Sequence, residues 1–189
     1  MPTTFYFLRH GQAIHNTDEF RKQGEKAHTN PIYQDTCLTE QGREQAQNAR
    51  IALESMRFDE IYCSPLRRCR QTLLEAYPES EHRTVWVDDR ILEQPYGRNI
   101  VDKRMEKPFI LKDSPVQWDI SRVSSTNPFN TTEEHRELEH IRTFTQDVRL
   151  KWPNGVVLVV AHQTWIRRWT RMFATETQVE NGKWIVHTI

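Results

Sequence analysis

Apolar residues gather in four runs of strand length: Phe5 to Leu8, Phe58 to Cys63, Val85 to Val87 and Val156 to Ala161. Between them the period lengthens to that of a helix. After Thr39, a residue type that caps helix N-termini, Ala46, Ala49, Ala52, Leu53 and Met56 recur on one stripe. In CSPLRRCRQTLLEAYP, Ser64 can cap and Pro65 suits the first helical position; Leu66, Leu73 and Tyr77 carry the stripe until Pro78 stops it. A third helix is predicted from Glu133 to Trp152, closed by Pro153, Asn154 and Gly155, and a fourth from Thr164 to Phe173. Strands alternating with helices, and strands apolar on both faces, predict a three-layer α/β/α fold with a mostly parallel central sheet. Tyr96 to Asn130, with Pro108, Pro115 and Pro128 amid mixed charge, breaks the alternation and reads as an irregular insertion or lid.

Composition narrows the picture. A chain of 189 residues, 37% hydrophobic and 28% charged, suits one globular domain over residues 1–189. The longest apolar run falls far short of a membrane span, and MPTTFYFLRH lacks the basic start and apolar length of a secretory signal, so a cytoplasmic protein without membrane contact is expected. Cys37, Cys63 and Cys69 form no CxxC pair and suggest neither a disulfide framework nor a zinc knuckle. Lys plus Arg and Asp plus Glu balance at 26 each, which leaves no global field for nucleic acid. Any anion must be held locally. The basic residues Arg98, Lys103, Arg104, Lys107 and Lys112 of the insertion are interleaved with Asp102, Glu106 and Asp113 and read as a solvated face.

Three predicted strands end in polar groups: Leu8 runs into Arg9 and His10, Cys63 into Ser64 and then Arg68, Ala161 into His162. Ligands of open α/β sheets bind outside the carboxyl ends of the strands, so these positions should converge. Two guanidinium groups match the oxygens of a phosphate. A neutral imidazole beside them is a competent nucleophile toward phosphorus, and the helix start at Ser64-Pro65 adds a partial positive charge. A general acid is also needed, for which Glu93 in DDRILEQPYG stands ready, with Asp88 and Asp89 as rivals.

In order along the chain stand RHG at Arg9 to Gly11, LTEQG at Leu38 to Gly42, SPLRRCRQT fitting SPxxRxxxT at Ser64 to Thr72, LEQPYG around Glu93, and VVAH ending at His162. Five ordered motifs spanning nearly the whole chain resemble the histidine phosphatase superfamily, also called phosphoglycerate mutase-like. The resemblance implies that His10 is the phosphorylated nucleophile, that Arg9, Arg68 and His162 hold the phosphoryl group, and that Glu93 is the proton donor. It places Asn16, and more weakly Gln12, on the phosphate side. Arg67 and Arg70 fall outside the matching position and read as helix-surface residues. Two departures stand out: Gln163 and Thr164 replace the small pair that usually follows the second histidine, which makes Gln163 a candidate substrate contact, and Ala13 replaces the usual hydroxyl residue.

Other features read more plainly. His15, five residues after His10, lacks the companions of a metal site, and no metal or cofactor is implied. His28, His82, His135, His140 and His187 lie in polar segments and read as exposed, while Trp165, Trp169 and Phe173 form a packing stripe. The expected function is hydrolysis of phosphate esters or anhydrides through a phosphohistidine, on a small phosphorylated substrate or a phosphopeptide. The alternatives are phosphoglycerate mutase-type transfer and a non-catalytic phosphate-binding module.

Overall fold

The computed structural model describes residues 1–95, 99–106, 116–125 and 134–189, the side chains of 134 and 135 apart. Its centre is a six-stranded sheet. The strands are β1 (Thr4–Arg9), β2 (Glu60–Cys63), β3 (Thr84–Asp88), β4 (Gln117–Arg122), β5 (Val156–Ala161) and β6 (Trp184–Thr188), in the order β4-β3-β2-β5-β1-β6. All neighbours run parallel except β6, which pairs antiparallel with β1. The helices are α1 (Asp18–Lys22), α2 (Glu25–Thr29), α3 (Glu40–Leu53), α4 (Arg67–Ala76), α5 (Glu134–Lys151) and α6 (Gln163–Phe173).

The sheet divides the core in two, because successive strand residues point to opposite faces. On one face Leu8, Ile61, Leu158 and Val160 meet Ala46, Ala49 and Leu53 of α3 and Cys69 and Leu73 of α4. On the other, Phe5, Phe7, Val157 and Val159 meet Ile141, Phe144 and Val148 of α5 and Trp165 and Trp169 of α6. The Phe7 and Trp169 rings lie 4.4 Å apart between centroids. Each such large side chain contributes about 1.5–3 kcal/mol by leaving water, so the predicted packing role of the Trp165, Trp169 and Phe173 stripe holds.

The four predicted strands and four predicted helices are present, with corrections. Thr39 does cap α3, its hydroxyl accepting from the Gly42 N–H at 3.0 Å, but Ala52 is exposed and Met56 lies beyond the helix end. Helix α4 starts at Arg67 with Leu66 as its flanking residue, two residues later than Ser64-Pro65 predicted. Residue Glu133 of the third predicted helix lies outside the described residues. The insertion is not wholly irregular: it contributes β4, whose alternating QWDISR pairs with β3 at the sheet edge, and a short 3-10 turn at Ile100–Asp102. Tyr96–Arg98 and positions 107–115 and 126–130 of it lie outside the described residues. Among its basic residues Arg104 is buried rather than solvated, and Lys103 is half-buried. Of the histidines expected at the surface only His82 is exposed; His28, His140 and His187 are half-buried, and the side chain of His135 is outside the described set. Arg67 is exposed, but Arg70 folds back and donates from Nε to the Pro65 carbonyl at 3.2 Å.

Candidate active site

Strand β1 delivers Arg9 and His10 to the carboxyl edge of the sheet, and its neighbour β5 delivers His162. The two imidazole rings stand 5.1 Å apart between centroids. His10 is buried, and its Nδ1–H donates to the Gly11 carbonyl at 2.7 Å. That bond fixes the tautomer and leaves the Nε2 lone pair for an electrophile. Burial, and next the charge of Arg68, hold His10 well below the ordinary histidine value, so the ring is neutral near pH 7.

The backbone that presents His10 is held by two of the motifs. Gly11 N–H donates to the Thr72 hydroxyl at 3.0 Å, and that hydroxyl donates to the Arg68 carbonyl at 2.7 Å. The last residue of SPxxRxxxT thus ties α4 to the RHG turn. Gly42, the last residue of LTEQG, lies so close that a Cβ there would overlap the Gln12 carbonyl, and one on Gly11 would overlap the Gly42 carbonyl. Both positions need glycine for backbone approach.

Arg68 is wholly buried at the start of α4. Its Nη1 donates to the Val101 carbonyl and its Nη2 to Asp102 Oδ1, both at 2.8 Å. Arg9 donates from Nη1 to the Val179 carbonyl at 2.8 Å. The Nε–H groups of Arg9 and of Arg68 are both buried without a partner. Unpaired buried donors of this kind are costly unless a ligand meets them.

Glu93 sits against the N-terminus of α6. Its carboxylate accepts from the backbone N–H of Gln94 at 2.9 Å, Trp165 at 3.3 Å and Thr164 at 3.4 Å. These donors favour the charged form, but desolvation and the neighbouring Asp102 outweigh them and push the carboxyl up to about 7. The rivals are engaged elsewhere: Asp88 pairs with Arg90 and Arg122, and Asp89 forms a buried two-point pair with Arg104.

Three further candidates hold the frame. Gln163 Oε1 accepts from the Val179 N–H at 3.0 Å, so its carboxamide braces the same residue that Arg9 grips. Asn16 Oδ1 accepts from the Ala13 N–H, and Gln12 Oε1 accepts from the Thr39 hydroxyl. Asn16 and Gln12 line, with Thr17, Arg21, Gln41 and Asn181, a polar cavity of about 360 Å³ beside the turn that carries His10. A second cavity of about 430 Å³, between Leu138 of α5 and Arg168, Arg171 and Met172 of α6, shares no lining residue with it.

Sequence reasoning missed several members of the cluster. The His15 ring lies 6.0 Å from that of His10, with Nδ1 paired to the Thr36 hydroxyl at 2.7 Å. The 3-10 turn Ile14–Asn16 folds it back, which spacing along a strand would not predict. Ser64 Oγ stands 2.7 Å from His162 Nε2 and fixes that ring. Asp102 could have been found only by knowing that the insertion returns to Arg68.

The histidine phosphatase superfamily (branch 1) model matches residues 5–188. The chain belongs to that superfamily. No curated protein matches its sequence at a significant level. Among solved structures, this superfamily member is similar to a phosphoglycerate mutase from Bacillus anthracis, at 21% identity and a TM-score of 0.68, covering 100% of this chain and 88% of the other. It is also similar to an ecdysone phosphate phosphatase from Bombix mori, solved with tungstate, at 14% identity and a TM-score of 0.68, covering 97% and 88%. A mycobacterial glucosyl-3-phosphoglycerate phosphatase matches at 19% identity and a TM-score of 0.61, covering 100% and 91%. At these identities the likeness concerns the fold, which is the α/β/α arrangement read from the sequence. Among the described residues of the superfamily member, no helix is long and apolar enough to cross a membrane.

Proposed function

We propose that residues 1–189 act as one phosphatase domain that hydrolyses a small phosphate ester through phospho-His10. The observation that carries this reading is the fixed tautomer of His10: Nδ1 is committed to Gly11, the ring is neutral, and Nε2 is free beside two arginines with unpartnered Nε–H groups. In the first step Nε2 attacks phosphorus, the bond from phosphorus to the ester oxygen breaks, and the Glu93 carboxyl gives its proton to the leaving oxygen. Arg9, Arg68 and His162 hold the phosphoryl oxygens. In the second step water attacks phosphorus, Glu93 takes the water's proton, the P–N bond breaks, and inorganic phosphate leaves with His10 neutral again. Gln12, Asn16 and Gln163 shape the substrate side, the first two at the polar cavity and the third through the Val179 segment.

Acid-quench or base-quench labelling tests this. A ³²P-labelled phosphomonoester should leave an acid-labile, base-stable label that His10→Ala removes, and release of inorganic phosphate should follow at the rate of its decay. A wild-type protein that binds phosphate without taking up label would make this a binding module. Label that passes to phosphoglycerate instead of water would make it a mutase.

A further inference from the structure

Among the described residues, Asp102 is a carboxylate bonded to Arg68 that neither attacks nor gives a proton. We propose that Asp102 is a positioning residue of this reaction, which anchors the end of the Arg68 guanidinium so that its Nε edge alone is presented to the phosphoryl group. The proposal rests on the phosphatase reading above.

The geometry is explicit. A guanidinium has two edges that can grip an anion: the end, formed by Nη1 and Nη2, and the side, formed by Nε and Nη2. In Arg68 the end is taken, by the Val101 carbonyl and by Asp102 Oδ1, each at 2.8 Å. On the side, Nη2 is shared with that pairing, but Nε–H is buried without a partner. The guanidinium is therefore already turned, and substrate need not spend binding free energy in orienting it.

The segment carrying Asp102 is built to hold it there. The Val101 side chain is buried with Phe20 and Ala27 and packs against Tyr33 and Ile100. Two residues beyond Asp102, Arg104 is clamped by Asp89, and its carbonyl accepts from Gln34 Nε2 at 3.2 Å. Asp102 is thus fixed from both sides. The Asp102 side chain is 9% exposed and that of Arg68 0%, so the pair is barely screened by water.

The same charge reaches the general acid. Glu93 is faced by Asp102 from the insertion, Arg68 and Cys69 from α4, Arg9 from β1, and the Thr164 and Trp165 amides at the start of α6. Arg9, Arg68 and the amides favour its carboxylate, while Asp102 opposes them. Without that opposing charge Glu93 would lose its proton at lower pH. Asp102 therefore has two separable effects, one geometric and acting on Arg68, the other electrostatic and acting on Glu93.

Two conservative variants separate them. Asp102→Asn keeps an oxygen that can accept from Arg68 but removes the charge. For this variant KM for a phosphomonoester should not rise, while the alkaline limb of the kcat profile should move to lower pH by on the order of one unit. Asp102→Glu keeps the charge but displaces it, so the limb should stay and KM should rise about tenfold. Thermal melting establishes that each variant is folded, and inorganic phosphate affinity by calorimetry supplies the same contrast without turnover. A limb that stays put in Asp102→Asn, or a phosphate affinity equal in Asp102→Glu and wild type, would overturn the proposal. If wild type itself forms no phospho-His10, the phosphatase reading fails instead, and labelling decides that before either variant is made.

Discussion

Gly42 and Gln12 approach so closely that a methyl group on the first would overlap the carbonyl oxygen of the second. Backbone on both sides leaves no flexible side chain to give way, so the glycine seats the RHG turn against the start of α3. Gly42→Ala should destabilise the protein by about 1–3 kcal/mol, read as a lower urea midpoint with unchanged slope. It should also slow phosphorylation of His10, because the turn must shift to relieve the overlap.

Thr72 links the turn that carries His10 to α4 through one hydroxyl. Thr72→Val preserves shape but strands the buried Gly11 N–H, at a cost of about 1–3 kcal/mol. Single-turnover phosphorylation should slow by roughly tenfold to a hundredfold as His10 leaves its aligned position. Substrate affinity should change much less, since the Thr72 hydroxyl bonds only to backbone.

For Glu93 the expectation concerns leaving groups. Glu93→Gln should slow phosphorylation of His10 by alkyl phosphates by about 10²–10⁴ and spare the burst of p-nitrophenolate from p-nitrophenyl phosphate, whose leaving oxygen needs no proton, while dephosphorylation slows equally with both. Wild-type kcat on alkyl esters should fall as pH rises through about 7, where the acid form is lost. Asp89→Asn serves as the control, and it should keep the wild-type leaving-group dependence.

Arg104→Ala should be far more damaging to stability than to the chemistry. It leaves the buried Asp89 carboxylate without its two-point partner, a loss of about 3–5 kcal/mol. Denaturant titration measures this directly. The residual folded fraction should still take up label at His10.

The pH dependence of stability follows from the histidines. His10, His15 and His162 are all held well below 6.5 in the folded state, so the unfolded chain binds more protons below that value. Stability should then be full above pH 6.5 and fall as pH drops below it. Glu93, raised from 4.5 to about 7, acts in the opposite sense, because it favours the folded state as pH falls through 7. Asp35 and Asp89, also raised by burial, side with Glu93, and His140, lowered by burial, sides with the other histidines; the three strongly lowered histidines carry the larger proton difference and make the net slope positive between pH 4.5 and 6.5. Urea titrations at intervals across this range, with proton uptake on unfolding, check the sign.

The central strands were legible because burial on both faces writes a continuous apolar run, as in VVLVVA of β5. The edge strands were not. QWDISR of β4 and WIVHT of β6 keep polar side chains toward water, and an edge of five or six residues carries too little alternation to stand out. For the candidate site, residues at strand ends could be read from the polar break after each run, and Arg9, His10, Arg68, Glu93 and His162 do meet. Gln163 and Arg104 were harder for another reason. A long polar side chain can face solvent or bond buried backbone, and only the tertiary position of Val179 or Asp89 decides which.

Strand β1 takes both its neighbours from residues 156–188, and the groups at its end depend on that stretch too. Arg9 grips Val179, Asn181 donates to the His10 carbonyl, and Gly182 closes on the backbone of both. On the ribosome, then, His10 emerges well before the segment that mounts it. A nascent chain carrying the whole RHG motif leaves His10 unmounted until β5 and β6 have emerged, so the candidate site is assembled late and in one step.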